Sequence, residues 1–236
     1  EYKGFASTPV NDRTTMQIDT RSVLEDCETL MLDMDGTVLD LAFDNFVWKE
    51  LIPSEFAKLH DMPPARARDE LFRRYRSVQG QLDWYCLDHW SERLGLDIMS
   101  LHRSVHHRIC YLPGAEQFLD AVSRKNIRLL LVTNSHPDTL ALKSEITGIA
   151  GFFDEIYSAH SFGHAKEDQA FWRALSKAEG FDPARTLFVD DTAAVLRSAA
   201  AYGVGQLRRV TKPDSTIPPR DDPAFPGVES IAELLD

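Results

Sequence analysis

Three short runs in this 236-residue chain are apolar at every position and stop on a polar residue. They are Leu30–Leu32 before Asp33, Leu129–Val132 before Thr133, and Leu187–Val189 before Asp190. A strand with one wet face alternates apolar and polar residues; a strand apolar throughout is covered on both faces. The spacing predicts strands over Leu30–Asp33, Arg128–Asn134, Asp154–Ser158, Thr186–Asp190 and Gly205–Val210. Between them lie helical patterns. One begins near Pro137, a residue suited to a first helical turn. Another covers Glu167–Glu179, with Ala170, Phe171, Ala174, Leu175 and Ala178 at helical spacing and Gly180 as its stop. A third covers Ala193–Tyr202 and ends at Gly203. Strands alternating with helices give an α/β fold, a Rossmann-like parallel sheet with helices on both faces. Ligands of such sheets bind beyond the carboxyl ends of the strands. Asp33, Thr133 and Asp190 all fall at that edge.

The alternation breaks between Asp44 and Cys110. That stretch is rich in Arg, Trp and Tyr and has no strand pattern. Its apolar residues recur at helical spacing, and Leu101, Val105, Ile109 and Leu112 are expected to form one helical stripe. The expected division is a tail over 1–22, a core over 23–43 and 111–236, and a helical insert over 44–110. Tyr111-Leu112-Pro113-Gly114 marks the return to the core. The proline-rich segment 211–227 reads as a loop, and Val228–Leu235 as a last short helix.

The formal net charge is −11, which repels a phosphate backbone and argues against nucleic-acid polymers as partners. A small phosphorylated substrate remains compatible, because a local metal and local cations outweigh the overall field. Three cysteines, Cys27, Cys86 and Cys110, are too few and too scattered for a disulfide framework, which favours a cytoplasmic setting. The first twenty residues hold no continuous apolar segment and the chain starts at Glu1. We expect a trimmed or partial terminus lying as a tail, with no signal peptide or membrane anchor.

The chemistry concentrates in the stretch LMLDMDGTVLD. Asp33 belongs to the strand end, and Asp35 opens the turn that Gly36 permits. Two carboxylates so close repel, so a cation nearby is expected. Asp190 and Asp191 add acidic groups at another strand end, and an all-oxygen site of this kind suits Mg²⁺. Lys166 follows the third strand and can offset charge at the same edge. The Thr133 hydroxyl and the N–H groups of Asn134 and Ser135, before the helix at Pro137, can donate to phosphate oxygens.

These residues carry a resemblance. DMDGT at Asp33–Thr37, LLLVTN ending at Thr133 and Asn134, Lys166, and VDD at Val189–Asp191 resemble the four ordered motifs of the haloacid dehalogenase (HAD) superfamily. The motifs span nearly the whole chain outside the insert. The resemblance implies a HAD-like core with a helical cap. It implies Asp33 as nucleophile and Asp35 as proton donor and acceptor. Thr133, Asn134 and Lys166 would hold phosphate. Mg²⁺ would sit on Asp33, the Asp35 carbonyl and Asp191, with Asp190 behind them. Many relatives place proline after the lysine, where this chain has Glu167. Dehalogenating members typically lack the acid at Asp35, so its presence favours a phosphatase. Further similarity in LDLAFDNFVWKELIP, LDWYCLDHWSERLGLDI and FGHAKEDQAFW points to the bacterial GMP/IMP nucleotidase branch. A phosphoglycolate-type phosphatase, a β-phosphoglucomutase-like mutase and a non-catalytic binding protein are the alternatives.

In the insert, Trp48, Trp84, Tyr85 and Trp90 read first as core packing, and Arg73, Arg74 and Arg76 as a solvated face. Asp44, Asn45 and Lys49 are the preferred substrate contacts, because they begin the insert close to the first motif. His102, His106 and Cys110 fall at i, i+4 and i+8. That row suggests zinc but also borders the apolar stripe, which explains it without a metal.

Overall fold

The computed structural model describes residues 23–25, 27–220 and 224–235. The expected tail over 1–22 lies outside them. The order along the chain is β1 (Thr29–Leu32), α1 (Ala42–Phe46), a π-helical stretch over Val47–Leu51, α2 (Ile52–Leu59), α3 (Pro64–Val78), α4 (Leu87–Leu94) and α5 (Ile98–Ser104). It continues through α6 (Ala115–Val122), β2 (Arg128–Thr133), α7 (Pro137–Thr147), β3 (Glu155–Ser158) and α8 (Gln169–Glu179). It ends with β4 (Thr186–Asp190), α9 (Ala193–Tyr202), β5 (Gln206–Val210) and β6 (Gly227–Val228).

The strands form one parallel sheet in the order β3-β2-β1-β4-β5-β6. β1 sits inside it, with Leu30 opposite both Leu129 and Leu187. Strand side chains point alternately to the two faces. Leu30, Leu32, Leu129, Leu131, Leu187 and Val189 enter one core with Phe118 and Leu119 of α6. Met31, Leu130, Val132 and Phe188 enter the other, against Phe171, Trp172 and Leu175 of α8 and Val195, Leu196 and Ala199 of α9. Burial on both faces is why these strands are apolar throughout.

The helical insert leaves after β1 and returns before α6. Its two ends run side by side. The Asp40 N–H donates to the Cys110 carbonyl at 2.9 Å, and the Leu112 N–H to the Val38 carbonyl at 2.9 Å. Leu39 and Tyr111 form an antiparallel bridge between them. Inside the insert, Trp48, Tyr75, Trp84 and Trp90 meet edge to face. Trp90 is buried and its Nε1 donates to the Trp84 carbonyl at 2.9 Å.

Two expected elements differ. The stripe Leu101–Leu112 is not one helix. α5 stops at Ser104, a 3₁₀ turn covers His106–Arg108, and Ile109 is extended. The chain must straighten there to reach the bridge at Tyr111. At the other end, Gly227 and Val228 do not begin a helix. They add a strand beside Arg209 and Val210, because the open edge of β5 offers unpaired backbone groups. A 3₁₀ turn at Ile231–Leu235 follows. Among the described residues no helix is long and apolar enough to cross a membrane.

Trp172 is fully buried, and its Nε1 donates to the Lys166 carbonyl at 2.8 Å and to Ser198 Oγ at 3.0 Å. Trp172→Ala is expected to lower stability by about 3–5 kcal/mol, measured by urea unfolding.

Candidate active site

Parallel pairing brings the carboxyl ends of β1, β2 and β4 to one edge, at the point where the chain order reverses across β1. Asp33 follows β1 directly, and its N–H still donates to the Val189 carbonyl at 3.0 Å. The sheet therefore fixes where its carboxylate starts. Gly36 makes the next turn at φ +87°, and an added Cβ would lie 2.8 Å from the Pro213 Cβ and 3.0 Å from the Asp191 Cγ. A side chain does not fit there.

Lys166 arrives from the segment after β3 and is buried among the strand ends. Its Nζ donates to Asp33 Oδ1, to Asp190 Oδ2 at 2.8 Å and to the Val132 carbonyl at 3.0 Å. Its backbone is held too, by the N–H to Asn134 Oδ1 at 2.9 Å and by Trp172 at its carbonyl. Burial opposes the ammonium, but Asp190 and Asp33 outweigh it and leave Lys166 above its ordinary pKa. The carboxyls are raised as well, but for them burial is the cause and the lysine opposes it. Burial pushes Asp33 up to about 7, with Lys166 opposing and Asp190 and Asp35 adding. Burial raises Asp190 to about 6, Lys166 opposing and Asp191 adding, and raises Asp191 to about 6, with Asp33 adding.

Asp33, Asp190 and Asp191 each offer a carboxylate oxygen within 4.8 Å of the others, and all three are buried. An all-oxygen, anionic set of this kind fits a hard divalent cation. Both Asp190 oxygens are engaged, one by Lys166 and one by the Thr192 N–H at 2.7 Å. Asp191 accepts from Thr192 Oγ1 at 3.0 Å and from Arg220 Nη1 at 3.0 Å. Thr133 is buried at the end of β2, and its Oγ1 accepts the Ser135 N–H at 3.0 Å.

Asp35 has a separate environment. Its Oδ1 accepts from Lys143 Nζ at 2.7 Å, and the same ammonium reaches both oxygens of Asp44 at 2.8 Å. Burial raises Asp35 to about 6, with Asp44 adding and Lys143 opposing. Lys143 was not singled out in the sequence. The signal was a lysine on the inward face of α7, beside Leu142 and four residues after Thr139, both buried.

The insert roofs a cavity of about 850 Å³ over these groups. Trp48, Trp84, Tyr85, Phe72, Arg76 and Gln79 line it from above, with Lys49 at its wall. Asp44 is engaged by Lys143, and Asn45 Nδ2 donates to Asp214 Oδ2 of the core at 2.7 Å. Glu167, where many members of the resembling family have proline, ties the insert to the core. It accepts from Tyr85 O–H at 2.8 Å and from Asn134 Nδ2 at 3.0 Å. His102 is buried against Phe43 and Trp48, and its Nδ1 lies 2.8 Å from the Ile98 carbonyl. His106 and Cys110 are exposed and do not join it.

Residues 27–203 match the family of haloacid dehalogenase-like hydrolases. The chain is 40% identical over 211 residues to the GMP/IMP nucleotidase YrfG of Escherichia coli (strain K12), covering 89% of this chain and 95% of that one. It is 32% identical over 118 residues to the pyrimidine 5′-nucleotidase YjjG of the same organism, covering 48% of this chain and 52% of that protein. Its fold is similar to that of a HAD phosphatase from Thermococcus onnurineus, with TM-score 0.74 and 16% identity over 88% of this chain and 95% of that one.

Lys143→Met leaves Asp35 and Asp44 without their shared cation, which pushes the Asp35 pKa further above 3.8. A carboxyl raised on folding contributes stability that is complete below its unfolded pKa and lost as pH rises through the folded value. The variant is therefore expected to lose about 3–5 kcal/mol on the alkaline side of the Asp35 pKa and less on the acid side. Urea unfolding at both pH values measures this.

Proposed function

Because the chain belongs to the haloacid dehalogenase-like hydrolases, we propose that this phosphatase hydrolyses purine nucleoside 5′-monophosphates, GMP or IMP, through an aspartyl-phosphate. The observation that carries the reaction is the pair of carboxyls two residues apart in different surroundings. Asp33 lies against the Lys166 ammonium, and Asp35 lies against Lys143 with its pKa raised to about 6. An alkoxide leaving group needs a proton, and a group ionising near neutral pH is suited to supply it and take it back.

In this reading the Asp33 carboxylate attacks phosphorus and the nucleoside 5′-oxygen leaves with the proton from Asp35. Asp35 then takes a proton from water as that water attacks phosphorus, and inorganic phosphate departs from Asp33. Lys166, the Thr133 hydroxyl and the Asn134 backbone hold the phosphate oxygens while charge develops on them. Asp33, the Asp35 carbonyl and Asp191 would hold Mg²⁺, with Asp190 behind them, where it accepts from Lys166 and the Thr192 N–H. Bound Mg²⁺ supplies charge neutralisation at the phosphate oxygens.

The nucleotide substrate is supported by the 40% identity to a GMP/IMP nucleotidase along 89% of the chain. The cavity adds to it. Its size is in the range of small-molecule sites, and Trp48, Trp84 and Tyr85 offer faces for a base while Arg76 and Gln79 offer polar edges. We assign residues 44–110 as the cap and 23–43 with 111–236 as the catalytic core, with Asp44, Asn45 and Lys49 at the hinge side of the substrate. The free cysteines Cys27, Cys86 and Cys110 suit a reducing, cytoplasmic setting.

A phosphate-release panel of GMP, IMP, AMP, UMP, phosphoglycolate and hexose phosphates should give its highest kcat/KM with GMP or IMP. A preference for phosphoglycolate or a sugar phosphate overturns the substrate assignment. Chelation should abolish turnover and Mg²⁺ restore it. Asp33→Asn should lose activity by on the order of 10³-fold or more. Asp35→Asn separates the two proton steps. With nitrophenyl phosphate, whose leaving group needs no acid, it should release a stoichiometric burst of nitrophenol and then stall; with GMP it should show no burst.

A further inference from the structure

A second cluster of metal-ligating side chains lies away from the aspartates. Cys86, His136 and His160 each present one ligand atom within 4.8 Å of the other two, and all three are half-buried. They come from three separate places. Cys86 precedes α4 in the insert, and its Sγ accepts the His89 N–H at 3.5 Å. His136 precedes α7, and His160 lies in the 3₁₀ turn Ala159–Ser161 after β3. The two imidazoles stand 5.0 Å apart between ring centres, at 74° to each other.

The trio is only partly satisfied: His136 Nδ1 accepts the Asp138 N–H at 3.3 Å, but one nitrogen has nothing. His160 Nε2 is buried and has no hydrogen-bond partner. The Asn134 and Tyr85 carbonyls lie near enough to favour a charged ring, yet burial and the His136 ring hold His160 below its ordinary pKa. A neutral imidazole is the form that binds a metal. A carboxylate is also in place, since Asp88 Oδ2 lies 3.8 Å from His136 Nε2. Ligating histidines are commonly oriented by a carboxylate on the other ring nitrogen.

We propose that Cys86, His136 and His160 form a second metal site, selective for a borderline-soft ion of the Zn²⁺ class, that clamps the insert to the core. The donor set is one sulfur and two nitrogens, which suits zinc and not magnesium. The three ligands need close by only a small amount, since donors about a tetrahedral zinc stand roughly 3–4 Å apart. Water completes the shell, and the Cys86 thiol proton passes to solvent on binding. The ion would join one side chain of the insert to two of the core, next to the Tyr85–Glu167–Asn134 link. Sites roofed by a moving segment must open to release product, so the clamp slows turnover.

The test uses metal-free, full-length protein titrated with Co²⁺ in excess Mg²⁺. A thiolate-to-cobalt charge-transfer band should appear, saturate at one ion per chain and disappear on adding Zn²⁺. Cys86→Ser and His160→Gln should each abolish the band, and Cys110→Ser should leave it intact. No band, a band that survives Cys86→Ser, or one displaced by Mg²⁺ overturns the site. Turnover gives a second arm, which rests on the phosphatase reading, whereas the cobalt band does not. Zn²⁺ in excess Mg²⁺ should lower kcat of the wild type and spare Cys86→Ser. Equal inhibition of both overturns the clamp.

Discussion

One buried ammonium holds the working edge of this protein together. Lys166 joins the carboxylate at the end of β1 to the carboxylate at the end of β4 and closes on the last carbonyl but one of β2. Burying a charge is costly unless it is paired and hydrogen-bonded. Here three acceptors from three strands receive one cation. The sheet supplies the acceptors at fixed spacing, and Trp172 and Asn134 fix the lysine's own backbone. The geometry of the site is thus a property of the sheet, and the apolar strands behind it keep that geometry stiff.

A second buried lysine does the same for the insert. Lys143 of α7 ties Asp35 of the core loop to Asp44 at the start of the insert. Asp35 and the first helix of the insert therefore share a counter-ion. Any shift of α1 is felt at Asp35 as a change in nearby charge. This couples the position of the roof to the acid strength of the group beneath it, through contacts of 2.7–2.8 Å.

Much of this was legible in the sequence. The strands, the parallel arrangement and the placing of Asp33, Thr133 and Asp190 at one edge follow from apolar runs that stop on polar residues, and Lys166 from its position after the third strand. Gly36 could be read as a turn, though its contact with Pro213 and Asp191 could not. What escaped depends on distance along the chain. Lys143 is 99 residues from Asp44, and a lysine on an amphipathic helix reads as surface until its partner is known. Glu167 departed from the resembling motif, and its use appears only when Tyr85 folds over it. His102, His106 and Cys110 shared a helical spacing, but α5 ended first. The His and Cys residues that do meet are separated by 50 and 24 residues and carry no local pattern.

The antiparallel bridge between Leu39 and Tyr111 has a consequence for how such a protein can change. The chain leaves and re-enters the core at adjacent points, so the sheet experiences the insert as a loop already tied shut. Lengthening a loop costs little free energy once its ends are joined, and nothing in the register of β1 with β2 and β4 refers to what lies between residues 44 and 110. Substitution, growth or wholesale replacement of that segment leaves the strand-end edge undisturbed, except at the few side chains that cross the seam. The knot at the neck thus lets the roof change as a module while the strand-end groups beneath it keep their places.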